Sequence, residues 1–417
     1  MPDVCIVGGG PAGATLALRL ARLGHSVVVH ERATPDRDAR GESLHPGIHP
    51  LLETLGLTDA GALRVHHSLV RWGEDVPVPR RHPLPQLAVL RPAFDARLLD
   101  AARAAGAVVS REEVDTNARV VVDASGRSSW SRPRRTRTSE RMLGLRGTWR
   151  GSGLPREMRV EAAEDGWIWG SPMPDGSFAV IACVDADPYA EASRYFAMLR
   201  ASELFRDLHG TVPVQHHDAT TYASEVVWDE QLLRIGDASH SLDPLSSSGI
   251  RSAMQSALHA SIAIHTILRH PERTELARRF YTATQRAAVE EHTRWTRSFY
   301  NESRWRDAPF WQKRAAASVE SATPSSPREV TLADGIAIDD VPCVVGDFVE
   351  SRRGVTGTAR PFVWIGGAEA AALLRPIERG GMAADALVAS WRGLTPHGRE
   401  RAIFDELLRN GVLVSGL

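Results

Sequence analysis

The chain has 417 residues, 43% hydrophobic and 24% charged, which suits two or three globular domains. A net charge of −1 excludes a broad electrostatic pull onto nucleic acid or membrane, and no apolar run reaches the length of a membrane span. Cys5, Cys183 and Cys343 stand far apart, predicting neither a disulfide framework nor a metal site, and no charged leader precedes the first strand, so the expectation is a reducing, cytoplasmic protein.

The first element is VCIVGGGPAGATLALRLARLGHSVVVHER. Val4–Val7 is an apolar strand, with Cys5 a small core residue. Gly8, Gly10 and Gly13 follow in G-x-G-x-x-G spacing, with Pro11 and Ala12 between them, and a helix then runs to about Leu23, where Gly24 stops it. A second strand covers 26–30 and ends at Glu31-Arg32. Glycines allow a tight turn and close approach to a pyrophosphate at a helix N-terminus, and an acid ending the second strand is placed to bind a ribose. This combination predicts dinucleotide binding.

RGESLHPGIHPLLETLGL, residues 40–57, comes next. LRPAFDARLLDAARAAGAVV, residues 90–109, predicts an Arg-led turn, a helix and a strand. VVVDASGRSS, residues 120–129, predicts a strand ending in Asp-Ala-Ser-Gly. The connection between Val109 and Val120 is too short for further strands. GWIWGSPMPDGSFAVIACVDAD, residues 166–187, predicts a hairpin turning at Pro174-Asp175-Gly176, with neighbouring strands over 142–150 and 157–163. RIGDASHSLDPLSSSGIRSAM, residues 234–254, is a loop leading into a helix; by itself Asp237 reads as an N-cap. Residues 278–314 form one helical region broken at Pro309, rich in aromatic residues and expected to pack across the back of the nucleotide domain. After a Ser/Pro linker over 318–327, strands and three short helices (370–379, 383–392 and 400–409) form a small winged-helix-like unit. Asp385, Asp405 and Glu406 interrupt its basic residues, so no nucleic-acid-reading face is expected.

Taken together, the glycine turn, the RGES stretch, the Asp-Ala-Ser-Gly strand end and GDASHSLDP resemble the FAD-dependent aromatic hydroxylases (group A flavoprotein monooxygenases) and their flavin-dependent halogenase relatives. The resemblance implies a mixed α/β fold: a Rossmann-type parallel-sheet FAD domain over 1–66, 88–141 and 222–275, and an antiparallel substrate-domain sheet over 67–87 and 142–221. A helical region and linker over 276–330 and the small C-terminal unit over 331–417 complete it. It implies FAD as cofactor, held at its ADP half by Gly8, Gly10, Pro11, Ala12, Gly13, Glu31 and Arg32. Arg40, Glu42, Ser43 and Arg91 would lie near the pyrophosphate and ring; Asp237, Pro244, Ser248, Gly249 and Ile250 would contact the ribityl chain and isoalloxazine. The following helix would aim its N-terminus at the ring edge where reduced flavin carries negative charge. Arg40 and Arg91 also read as surface ion pairs. Trp167, Trp169 and Pro172 fit the W-x-W-x-x-P spacing of halogenases, with Ser171 in place of isoleucine; alternate Trp residues on a strand are also ordinary packing. With Ser246 they are the expected substrate pocket.

Halogenases relay hypohalous acid through a lysine. Here Lys313 is the only lysine among 50 basic residues, and the corresponding region over 69–91 offers Arg71, Arg80, Arg81 and Arg91 instead. A guanidinium is no substitute for the amine. Ser246 and Ser241 stand where halogenases carry glutamate and phenylalanine. The expected activity is therefore hydroxylation through a flavin C4a-hydroperoxide, with O2 as co-substrate and electrons from NAD(P)H or a separate reductase. Glu42, His45 and His240 are the candidate catalytic groups. The W-d-x-P-F-W stretch near Trp305–Trp311 and the R-P-f C-terminal unit resemble flavin monooxygenases that build tryptophylquinone cofactors. That implies a tryptophan of a partner polypeptide as substrate. A small or carrier-bound natural product, halogenation, a geranylgeranyl-reductase-like activity and a non-catalytic flavin binder remain the alternatives.

Overall fold

The computed structural model describes residues 1–32, 41–57, 61–187, 192–315 and 327–416. The chain divides into two units, Met1–Ser261 with Ala288–Ser318, and Ile262–Ala287 with Val319–Leu417. The helical region expected over 276–330 is thus shared between them. No described helix is long and apolar enough to cross a membrane.

The first unit holds two large sheets. One has six strands in the order Trp228–Asp229, Leu232–Arg234, Val120–Asp123, Val4–Val7, Val27–His30 and Val108–Ser110. All its pairings are parallel except the one at the Trp228–Asp229 edge. Val4, Cys5 and Ile6 are fully buried, as a central parallel strand covered on both faces requires. The helix Pro11–Arg22 starts at Pro11, whose missing N–H costs nothing in the first turn, and ends where Gly24 takes a φ of +82°. Arg91–Ala104 is the expected second helix, and the chain from 111 to 119 forms no strand.

The second sheet has eight strands, in the order Gln215–Asp218, Met142–Trp149, Phe178–Asp185, Gly166–Pro172, Met158–Ala163, Leu63–Arg71, Val78–Leu90 and Gly41–Leu44, and it is antiparallel as expected except that Met158–Ala163 pairs parallel with Leu63–Arg71. The hairpin stands as expected, with Gly176 at φ +77° and the Asp175 carboxylate accepting the N–H and hydroxyl of Ser177. The predicted flanking strands lie one on each side of it. Gly41–Leu44, expected with the FAD domain, instead pairs with Val78–Leu90 as an edge of this sheet.

The aromatic region departs from expectation. Its helix runs Thr274–Asn301, the chain turns through 302–308, and Pro309 opens a separate short helix, Pro309–Gln312. Pro309 starts a helix rather than breaking one, because its fixed φ suits a first turn. The aromatics at the C-terminal end of the region pack elsewhere than on the nucleotide sheet. Tyr300, Phe310 and Trp311 pack with Trp72, Trp167 and Cys183 against the antiparallel sheet. The indoles of Trp305 and Trp311 donate to the carbonyls of Ala162 and Ala163, at 3.1 and 3.0 Å. A buried indole needs such an acceptor, so these bonds fix where the segment sits.

The second unit contains a three-stranded sheet ordered Met382–Ala383, Glu329–Leu332, Leu413–Ser415, and a hairpin of Ala337–Val345 with Phe348–Thr356. The three expected helices are present as Ala370–Leu374, Ala384–Ser390 and Glu400–Arg409. Its core centres on fully buried Trp391, whose indole donates to Leu373 O at 2.7 Å.

Candidate active site

Two clefts of the first unit meet at one place. The nucleotide-side cleft, about 410 Å³, is lined by the glycine turn, Glu31, Arg91, Asp95 and residues 124–127. The sheet-side cleft, about 300 Å³, is lined by Ser43, Arg146, Trp167, Trp169, Leu242 and Pro244 among others. Glu42, Arg127, Asp237, Gly249 and Ile250 line both.

The glycine turn is built for close approach. A Cβ on Gly13 would lie 1.9 Å from Gly8 O, so helix and turn pack with no room for a side chain. A Cβ on Gly10 would meet nothing within 4 Å, because Gly10 faces the open cleft. Glu31 accepts the N–H of Gly9 and lines the same cleft. A backbone cradle at a helix N-terminus beside a carboxylate fits a dinucleotide's pyrophosphate and ribose.

Residues 124–127 are held by a knot around Asp123. This fully buried carboxylate accepts from Ser125 N–H and hydroxyl, the Ser129 hydroxyl, and Ser131 N–H and hydroxyl, at 2.6–3.0 Å. Burial pushes its pKa up, but the serine hydrogen bonds outweigh this and hold it below the usual carboxylate value. A depressed folded-state pKa stabilises the fold above the unfolded value of about 3.9, and that stability is lost as pH falls through the folded value. We therefore expect Asp123→Asn to destabilise the protein by about 2 kcal/mol at pH 7. Urea unfolding should show the gap to wild type holding from pH 7 to about pH 4 and narrowing below it; a gap unchanged below pH 4 would refute the account.

At the junction, Arg91 donates to Glu42 at 2.8 Å and to both oxygens of Asp95 at 3.0 Å. Burial opposes its charge, but the two carboxylates outweigh that and keep it protonated. The expected cofactor arginine and the expected ion pair are thus the same arrangement. Asp237 is pushed up by burial, with Arg127 opposing and the Glu42 charge adding to the rise. Such a carboxyl is poised to hydrogen-bond a polyol.

Several expected site residues do not reach either cleft. Arg40 lies outside the described residues. Gly13 is buried behind the turn, and Arg32 is exposed and is not part of the lining. Ser248 is buried and donates to Ser246 O, and neither serine lines the sheet-side cleft. Pro172 is absent from that cleft too, because alternation puts it on the other face from Trp167 and Trp169. His45 is exposed and its Nδ1 accepts from Gly47 N–H, a local cap. His240 is buried against Ser252 and Ser239, and burial pushes its pKa down to about 4. Of the three candidate catalytic groups, only Glu42 lines the junction.

Other residues were not singled out by sequence. Arg127 donates to Thr220 O and Ser241 Oγ, both at 2.9 Å, and to Asp218 at 3.2 Å. Arg146 donates to Gly41 O at 2.7 Å. Arg127 stands inside the VVVDASGRSS stretch, which was the available signal. Arg146 carried none. Trp169 presents a buried indole N–H with no acceptor.

Comparison with known proteins gives these features a context. Residues 1–81 match the FAD binding domain family, and residues 102–331, more than half of the chain, match the tryptophan halogenase family. A tryptophan 2-halogenase of Chondromyces crocatus is 29% identical over 375 residues, covering 76% of this chain and 71% of its own. The structure of QhpG, a peptidyl tryptophan dihydroxylase essential for tryptophylquinone cofactor biogenesis, aligns with a TM-score of 0.77 and 26% identity, over 98% of this chain and 99% of that one. CmlS, a flavin-dependent halogenase, aligns with a TM-score of 0.83 over 100% and 98% of the two chains; at 22% identity this speaks for the fold. The FAD binding domain match supports FAD as cofactor, and it covers the glycine turn and Glu31 that line the nucleotide-side cleft.

Proposed function

The chain belongs to the tryptophan halogenase family, and we propose that it is a member that transfers oxygen rather than halogen to an indole ring, on a tryptophan of a partner polypeptide. One observation carries this reading: no lysine lines the sheet-side cleft. The sole lysine, Lys313, is paired at 3.0 Å with Asp185 instead. The cations present in the cleft, Arg127 and Arg146, are guanidiniums and poor nucleophiles. The likeness to a peptidyl tryptophan dihydroxylase over 98% of this chain supports a protein substrate.

Bound FAD, reduced by NAD(P)H or a separate reductase and met by O2, supplies the oxygen-transferring chemistry. The chain's own residues do the rest. Trp167 and Trp169 wall the cleft with aromatic surface, and Ile181 and Leu242 help keep it dry. Glu42, at the junction of the clefts, is the group placed to take a proton from the ring; Arg91 fixes its position.

Intact mass of a partner polypeptide after incubation with the protein, FAD, NADH, ¹⁸O₂ and bromide tests the reading. The expected product carries labelled oxygen on one tryptophan, while free tryptophan is untouched. Bromine on the product would restore halogenation. Turnover of free or carrier-bound small aromatics alone would move the substrate class, and FAD binding with no oxygen uptake would leave a flavin binder.

A further inference from the structure

Behind the loop Ser241–Asp243 lies a third cleft of the first unit, about 280 Å³, lined by a different set of side chains. Four are cationic: Arg137, Arg297, Lys313 and Arg314. Lys313 and Arg314 share one carboxylate, Asp185, at 3.0 and 2.8 Å, and Asp185 is not part of the lining. Arg137 and Arg297 are both exposed and form no ion pair among the described residues. The lining holds two acids. Glu140 is exposed; Asp243 is buried and already accepts the Tyr300 hydroxyl and Leu245 N–H, at 2.9 and 3.0 Å. Two polar atoms of lining residues, Thr296 Oγ1 and Arg314 Nε, are buried with no partner. In a chain of net charge −1, this concave site gathers more cations than acids and two unsatisfied polar atoms.

We propose that this cleft is a binding subsite for one oxyanion, a carboxylate or a phosphoryl group. Arg137 and Arg297 supply the unmatched charge; planar guanidiniums suit either group. The site adjoins the substrate-side cleft, since Ser241 and Leu242 line both. It is also joined to that cleft's wall: Trp167 donates to the Tyr300 hydroxyl at 3.3 Å, which donates to Asp243. An acid group bound here therefore sits one loop away from the aromatic walls. The inference does not rest on the oxygen-transfer reading; a halogenating protein would bind the same group.

The test is calorimetric titration of the FAD-loaded protein, at low ionic strength, with inorganic phosphate and separately with acetate. Loading with FAD fills the other phosphate-binding cleft. One equivalent is expected to bind, and Arg137→Ala/Arg297→Ala should weaken it by about tenfold or more with flavin absorbance unchanged. Lys313→Ala, a second exposed position, should weaken it less, because that amine is already paired. Tighter phosphate assigns a phosphoryl ligand and tighter acetate a carboxylate; either supports the site. No saturable binding of either ion, or binding indifferent to the double substitution, overturns it.

Discussion

Gly13→Ala should yield a protein that holds FAD poorly and is less stable as well. The new Cβ would lie 1.9 Å from Gly8 O and 3.0 Å from Gly8 C, so the helix must move off the turn that it closes. Neighbouring Gly8 has no freedom to compensate: its φ is +106° and a Cβ there would meet Ala124 O at 2.5 Å. Overpacking of this kind costs about 1–3 kcal/mol, which corresponds to a fall in FAD affinity of roughly ten- to hundredfold if the strain falls on the cradle. Gly10→Ala is the informative partner. Its Cβ meets no protein atom within 4 Å, so the apoprotein should unfold at the wild-type temperature. Its affinity for FAD should nevertheless fall, because the methyl group occupies the cleft where the pyrophosphate is expected. Flavin fluorescence titration and thermal unfolding of the apoproteins separate the two effects. Wild-type FAD affinity in Gly10→Ala would move the pyrophosphate elsewhere.

Glu161→Ala should be strongly destabilising although it removes no apolar surface from the core. Glu161 is 3% exposed, accepts from Arg71 at 2.8 Å, and also takes the Ser202 hydroxyl and the N–H groups of Glu203 and Leu204. Removing the carboxylate leaves a half-buried guanidinium and two backbone donors without their acceptor. Breaking such a pair from one side costs about 3–5 kcal/mol. The thermal midpoint should drop by roughly 10 °C. Glu161→Gln keeps an acceptor and loses only the charge, so it should cost about half as much. FAD affinity should hold in both, since Glu161 lines neither cleft of the active site. A loss under 1 kcal/mol for the alanine variant would show that water replaces the carboxylate, contrary to the buried network.

The aromatic segment shows where reading the chain alone stops. Proline at 309 looked like a break because proline usually ends helices; it acts as a start because the chain had already left the helix at Asn301. What moves the segment onto the antiparallel sheet is a set of indole hydrogen bonds to carbonyls 143 and 148 residues away. Periodicity along one helix carries no information about partners that distant. The same holds for His45 and His240. Both belong to stretches expected at the cofactor, and only the contacts of their ring nitrogens reveal them as supports.

By itself the sequence determined the local elements and the cofactor class. The strand, glycine turn and helix of residues 4–22, the hairpin over 166–185, and the three short C-terminal helices follow from apolar periodicity and turn chemistry, which act between neighbours in the chain. The single lysine was likewise legible as a count. The tertiary structure alone decided which side chains converge. Arg127 meets Ser241 across 114 residues, Arg146 meets Gly41 across 105, and Lys313 meets Asp185 across 128. Those meetings depend on the order in which strands pair and on which face each residue takes, and both are set by packing across the whole unit.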